Sequence, residues 1–274
     1  MTSPLPPDPA PARAWQLPAS PALLTDPIVQ CFVLIALTSV FFLLFPGVDP
    51  WFSGLFYDSA NSNFPVSQLP AFVALRNFHR GVTWVVPVAL VIVLIVKLAA
   101  PWRKSLVPPR DTAFILSTLA IGPGIIVNLI FKDLWGRPRP VRVDLFHGDS
   151  PFVGVWQITD YCSTNCSFVS GEASSAIWLL TLAVLLPQEW RRLALKILIG
   201  WAIALSLNRI AFGGHFLSDV LLAWWMTLAV IAVAWRILYV QPPAALTNDR
   251  MEAWLTDAGT GIRRLFQRRG AGPT

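Results

Sequence analysis

Uninterrupted apolar runs about as long as a lipid bilayer is thick dominate this chain, and they decide its fold class before any motif is read. A spanning helix needs roughly 20 mostly apolar residues, at about 1.5 Å each, to cross a hydrocarbon core of about 30 Å. Six segments qualify, near Ile28–Phe45, Trp84–Ala100, Ala113–Phe131, Ser170–Leu186, Leu193–Leu207 and Phe216–Tyr239, the fifth being short. Pro46, Pro50, Pro101, Pro108, Pro109, Pro138, Pro140 and Pro187 stand between them, where helices should stop. Only helices and closed barrels satisfy their backbone polar groups in lipid, and these runs lack the alternation of a barrel strand. The expected class is therefore all-α: a polytopic integral membrane protein with six transmembrane helices. At 55% hydrophobic and 13% charged residues, the chain holds more apolar surface than a soluble domain could bury.

Residues 1–25 carry seven prolines from Pro4 to Pro21 and read as a disordered Pro-rich cytoplasmic tail. Residues 26–242 form the expected six-helix membrane domain, and residues 243–274 a basic amphipathic cytoplasmic tail. No basic stretch leads into a short apolar run with a cleavage site, so the first run is expected to remain as an anchor. The net charge of +6 is too small and too dispersed for a nucleic-acid partner, but it bears on sidedness. With the N-terminus cytoplasmic, most basic residues, among them Arg103, Lys104, Arg110, Arg191, Arg192 and Arg236, collect inside. Arg76, Arg80, Lys132, Arg137, Arg139, Arg142 and Arg209 are left outside. This bias predicts both termini in the cytoplasm of an inner or cell membrane.

Beyond the sixth run, Met251, Trp254, Leu255, Ala258, Ile262, Leu265 and Phe266 recur at helical spacing beside Arg263, Arg264, Arg268 and Arg269. An amphipathic helix on the anionic inner leaflet is the expectation, with Gly259 and Gly261 counting against it. Trp51, Phe52, Leu55, Phe56 and Tyr57 suit an interfacial role, with no chemistry assigned. Cys31 reads as core filler. Cys162 and Cys166 lie in a long outer loop, spaced for a small disulfide ring; the competing reading, a two-cysteine metal site, has only His147, Asp144, Asp149 and Asp160 nearby.

Three stretches concentrate polar chemistry at one end of the expected bundle. The first is Lys132-Asp133-Leu134-Trp135-Gly136-Arg137-Pro138-Arg139-Pro140, where stiff prolines hold basic groups in place. Anchoring by snorkelling is the bland alternative for any one of those cations. The second, Ser167-Phe168-Val169-Ser170-Gly171-Glu172, places a hydroxyl and free N–H groups at a helix start, which suits a phosphate but equally suits an ordinary N-cap. In the third, from Asn208 to Asp219, His215 and Asp219 share a helix face, so the carboxylate can hold one imidazole nitrogen while the other faces a cavity. Convergence of Lys132, Arg139, Arg209, Ser170, Gly171 and His215 on one face points to a phosphate group in transfer.

On these residues the chain resembles the type-2 phosphatidic acid phosphatase superfamily of integral membrane lipid phosphatases. Lys132 to Arg139-Pro140 matches the family's first motif, and Arg209, His215 and Asp219 match the third, with Asn208 in place of a serine. The middle motif keeps only Ser170-Gly171, with Glu172 in the place of its histidine. The resemblance implies that His215 attacks phosphorus to form a phosphohistidine, that Asp219 orients it, and that Lys132, Arg139, Arg209, Ser170 and Gly171 hold the phosphoryl oxygens. It implies no metal and no cofactor. The partners it implies are a lipid phosphate substrate and the bilayer.

Glu172 is the candidate general acid: burial would favour its protonated form, and the neighbouring cations would oppose it. His147 is a second candidate. The implied substrates are phosphatidic acid, phosphatidylglycerol phosphate, polyprenyl pyrophosphate and lipid A phosphates, handled at the outer face. Lipid-to-lipid phosphotransfer and a non-catalytic lipid-phosphate binding or transport protein stand as alternatives.

Overall fold

Prolines open three of the long helices. A computed structural model describes residues 25–270, so the tail at 1–25 lies outside the described residues but for Thr25. Helix α1 (Pro27–Leu44) opens on Pro27, with the Asp26 carboxylate capping the Ile28 N–H at 2.9 Å. A short helix α2 (Val48–Gly54) follows. Helix α3 (Pro70–Ala99) opens on Pro70, and α4 (Pro109–Leu134) on Pro109. Then come α5 (Gly171–Leu185), α6 (Gln188–Ala211), α7 (Leu217–Val240) and the C-terminal α8 (Asn248–Gly270). No strand occurs among the described residues; only two isolated bridges, Asp58 with Asn63 and Val143 with Ser150, are found.

Five helices, α1, α3, α4, α6 and α7, are long and apolar enough to cross a membrane. The expected fourth span, α5, is shorter, roughly 26 Å at about 1.5 Å per α-helical and 2.0 Å per 3-10 residue. Its first turns explain why it can be. Every residue of Gly171–Trp178 except Glu172 is buried, so neighbouring helices rather than lipid enclose it. The helix packs against α4, α6 and α7, while α1 lies along α7. Leu37, Ile92 and Leu193 on the outer helices stay exposed, as lipid-facing side chains would.

The sequence placed the start of the second span at Trp84, but α3 begins fourteen residues earlier. Arg76 and Arg80 therefore ride on a helix instead of an outer loop. Helix α4 winds as a π-helix over Ala120–Phe131, around Pro123, which cannot donate to the helical ladder. The Pro123 carbonyl accepts from the Asn128 side-chain amide at 2.6 Å. Such widened turns recur at functional sites, and this one borders the cavity described below.

Helix α8, expected on the inner leaflet, packs against the bundle. Its Gly259 packs on α3 so closely that a Cβ there would fall 2.5 Å from the Leu98 carbonyl oxygen, so the glycine serves a close helix contact. The buried Lys97 ammonium bonds Glu252 at 2.7 Å, Thr256 at 2.9 Å and the Arg103 carbonyl at 2.8 Å. Arg263 stacks on Trp102 at 4.4 Å. The side chains of Phe266, Arg268 and Arg269 lie outside the described residues.

At the opposite end, Phe64, Val143, Phe146 and Phe216 form a small apolar core under the connecting loops, with Tyr57 and Phe152 packed on it. These loops roof the cluster of charged groups.

Candidate active site

The imidazole of His215 sits in the loop before α7 and is 1% exposed. Its Nδ1 lies 2.7 Å from the Ser167 carbonyl oxygen, which can only accept, so Nδ1 carries the proton and Nε2 keeps its lone pair. The expected direct bond to Asp219 is absent: Nδ1 and the carboxylate are 4.0 Å apart. Asp219 is instead saturated by other donors. Arg137 Nη1 donates to it at 2.6 Å, the Ser167 hydroxyl at 2.5 Å and the Phe216 N–H at 2.9 Å. Ser167 thus joins the two residues, hydroxyl to the carboxylate and carbonyl to the imidazole.

Arg137, which the motif spacing passes over, is the hub beneath this pair. Fully buried, it binds Asp219 on one side and Asp49 at 2.8 Å on the other, and donates to the Val153 carbonyl at 2.8 Å. Asp49 in turn accepts from the hydroxyl and N–H of Ser218 at 2.5 and 2.9 Å. The α2 segment, read from the sequence as merely interfacial, therefore contributes a buried carboxylate. Trp51 and Leu55 on the same segment do stay exposed. An acidic residue inside so aromatic a stretch was the available signal.

Burial, followed by the charges of Arg139, Arg209 and Lys132, pushes the His215 pKa well below the ordinary histidine value of 6.5. The imidazole is therefore neutral at physiological pH, the state a nucleophile needs.

Beside this core lies a cavity of about 500 Å³, lined at one end by Arg76, Arg80, Lys132, Arg139, Gly171 and Glu172 and at the other by Trp84, Pro87, Leu119 and Pro123; His215 and Arg209 are not among its lining residues. Cations outnumber the single carboxylate among these lining residues. Lys132 and Arg80 form no ion pair among the described residues, and Arg139 bonds only neutral groups, the Asn165 carbonyl at 2.8 Å and its side-chain oxygen at 2.8 Å. Asn165 is presented by a small ring that a disulfide closes between Cys162 and Cys166. Gly171 lets Lys132 approach, since a Cβ there would lie 3.3 Å from its Nζ.

Glu172 takes both of its neighbours as a carboxylate, accepting from Arg76 at 2.8 Å and pairing with Arg209. Held between two guanidiniums, it is placed as an acceptor, an arrangement that favours the carboxylate over the proton donor the sequence offered. Arg209 itself is buried, with Gly214 making room for its guanidinium. Ser170 caps α5, its hydroxyl accepting from the Ala173 N–H at 3.3 Å, and lies behind the cavity wall. His147 does not line the cavity; its Nδ1 meets the Tyr57 hydroxyl at 2.7 Å in the loop layer. His79, unmarked by any motif, does line it. Trp201 donates to its Nδ1 at 3.2 Å, so its Nε2–H faces the Ser175 hydroxyl at 2.8 Å.

Residues 112–242 match the model of the PAP2 superfamily. A lipid A 4'-phosphatase of Rhizobium leguminosarum is 36% identical over 208 residues, 70% of this chain and 87% of that protein. The chain belongs to the PAP2 superfamily. A lipid A 4'-phosphatase of Francisella tularensis subsp. novicida is also 36% identical, over 203 residues, with 70% of this chain and 85% of that protein covered. No solved structure matches significantly. The protein is a membrane lipid phosphatase of the PAP2 type, and the cavity joins the two properties such a substrate presents, a phosphate and an apolar tail.

Proposed function

We propose that the protein hydrolyses a phosphate monoester on a lipid A-like glycolipid through a phosphohistidine on His215. The single observation that carries the reading is the tautomer of His215: with Nδ1–H committed to the Ser167 carbonyl, Nε2 is the free nucleophile. A phosphate entering the cavity would meet Lys132 and Arg139 on its lining, with Arg209 paired to Glu172 behind them, and these charges would offset its own and spread the charge that builds on the equatorial oxygens in transfer. The Nε2–P bond forms as the P–O bond to the lipid breaks, and the leaving oxygen takes a proton from solvent water, which regains one from the water that later attacks phosphorus. Water then attacks phosphorus, the P–N bond breaks and inorganic phosphate departs. Gly171 and the start of α5 would face the same oxygens.

Asp219 acts in this scheme through Ser167. Its charge, relayed by the Ser167 hydroxyl, polarises that residue and favours the positive charge the imidazole gains when Nε2 bonds phosphorus.

The same reading has six passes, with α5 as a buried fourth one, both termini cytoplasmic and the cavity at the outer face of the inner membrane. Its support is the bias of Arg103, Lys104, Arg110, Arg191, Arg192 and Arg236 to the chain segments at the end away from the cavity. Substrate class rests on the relatives, both named for lipid A.

Purified protein in detergent should release inorganic phosphate from lipid A, and His215→Ala should not. Quenching with radiolabelled substrate should trap label that survives alkali and is lost in acid. Release undiminished in His215→Ala would remove the mechanism, and label moved to an acceptor lipid would favour phosphotransfer over hydrolysis.

A further inference from the structure

A second cavity, of about 460 Å³, opens on the outer side of Arg139. It falls within the ~300–1,000 Å³ usual for small-molecule sites. Arg139 and Asn165 line both cavities, so the two spaces meet at that pair.

Its two walls are pinned. On one side the chain turns back at residues 142–150, where the Ser150 N–H donates to the Arg142 carbonyl at 3.0 Å and the Asp144 N–H to the Ser150 carbonyl at 2.7 Å. Gly148 is needed for that turn, since a Cβ there would fall 2.1 Å from the Arg142 backbone. Arg142 and Asp149 are thereby set side by side on the rim. The facing wall is the disulfide-closed ring, with Ser163 and Thr164 on it and Tyr161 just before it.

We propose that this outer cavity is a saccharide subsite, which binds the pyranose ring carrying the phosphate or the ring next to it. The inference rests on the phosphatase reading and adds to it where the sugar of the headgroup binds and which residues hold it. Four properties of the lining support a sugar. Tyr161 is half exposed and offers a ring face for the apolar side of a pyranose. Arg142 and Asp149 are a donor fork and an acceptor pair, and neither is in an ion pair among the described residues. Ser163 and Thr164 add hydroxyls that can donate or accept. Finally, the carboxylate of Asp149 argues against a second phosphate, which a purely cationic lining would suit better. A phosphate in the inner cavity and its sugar in the outer one would flank Arg139 from both sides, as a sugar phosphoester requires.

The test compares two phosphate monoesters, lipid A and phosphatidic acid, which share phosphate and acyl chains and differ in sugar. Tyr161→Ala and Asp149→Asn should each lower kcat/KM for lipid A about tenfold or more, chiefly through KM, and leave phosphatidic acid within about twofold. Tyr161→Phe should retain most lipid A activity. Saturation-transfer NMR with free glucosamine should detect contact with the wild-type protein and lose it in Tyr161→Ala. Parallel losses on both lipids, or no loss on either, would overturn the subsite, as would wild-type preference for phosphatidic acid. If neither lipid releases phosphate, the phosphatase reading fails, and the glucosamine measurement alone decides the subsite.

Discussion

His215 and Asp219 lie 4.0 Å apart without a hydrogen bond between them, and Ser167 connects them through two different atoms. A carboxylate in this position influences the imidazole through an intervening peptide and hydroxyl. Its own strongest partner is the guanidinium of Arg137, which lies under the site and outside the motif spacing.

Asp219→Asn keeps the shape of the side chain and removes the charge that Arg137 and Ser167 share. The expected effect on phosphate release is a fall in kcat of about 10²–10⁴-fold, as for other orienting carboxylates. Ser167→Ala keeps the carbonyl that fixes the His215 tautomer and loses only the hydroxyl through which Asp219 acts, so a comparable fall is expected. Near-full activity in Ser167→Ala beside a large loss in Asp219→Asn would refute a relay through Ser167.

The pH dependence follows from the neutral imidazole. Protonating Nε2 abolishes nucleophilicity, and the His215 pKa lies well below 6.5, so its loss of function belongs below pH 6.5. A plot of kcat/KM against pH should therefore be flat through 6.5 on the His215 account, with any acid limb further down. A limb centred near 6.5 that disappears with no other change in Ser167 variants would contradict the burial argument.

Arg137→Ala would leave Asp49 and Asp219 buried without their shared cation. Breaking such a pair costs about 3–5 kcal/mol, against the net worth of forming it, which is far smaller. Thermal unfolding in detergent should show a large drop in Tm for Arg137→Ala. Arg137→Lys, with charge but without the fork, should fall between the two.

Glu172→Gln separates two roles. If Glu172 is the acid, the rate should fall about 10²–10⁴-fold. If it holds Arg76 and Arg209 as an internal anion, the rate should stay within about tenfold and inhibition by inorganic phosphate should tighten, because the guanidiniums lose a competitor. The ion pairs favour the second outcome.

Gly259→Leu tests the docking of α8. With a Cβ only 2.5 Å from a backbone oxygen, the helix must shift, at about 1–3 kcal/mol. Limited proteolysis at 241–247 should accelerate, with activity at the far end largely kept.

The helical class and the long apolar runs were legible because lipid imposes length and hydropathy on each segment separately. The three polar stretches were legible for the same reason, as charges that lipid would not tolerate idly. What pattern could not supply was partnership. Arg137 and Arg139 are two residues apart in one Pro-rich stretch, yet one is sealed between carboxylates and the other faces two cavities. Asp49 arrives from α2 and Asn165 from a distant loop, and nothing local marks which partner either one meets. The early start of α3 was hidden because Arg76, Asn77, His79 and Arg80 lower the hydropathy of turns that Pro70 announces. The fourth run, Ser170–Leu186, matches α5 within a residue at each end, but its apolar content records burial that neighbouring protein supplies as well as lipid.

The cavity that runs from Lys132 and Arg139 to Trp84 and Leu119 grades from ionic to greasy along its length. On the proposed reading, cleavage divides the guest into an ion with no tail and a tail with no ion. Each fragment then satisfies one half of the slot and leaves the other half wet, so the reaction itself would loosen both products.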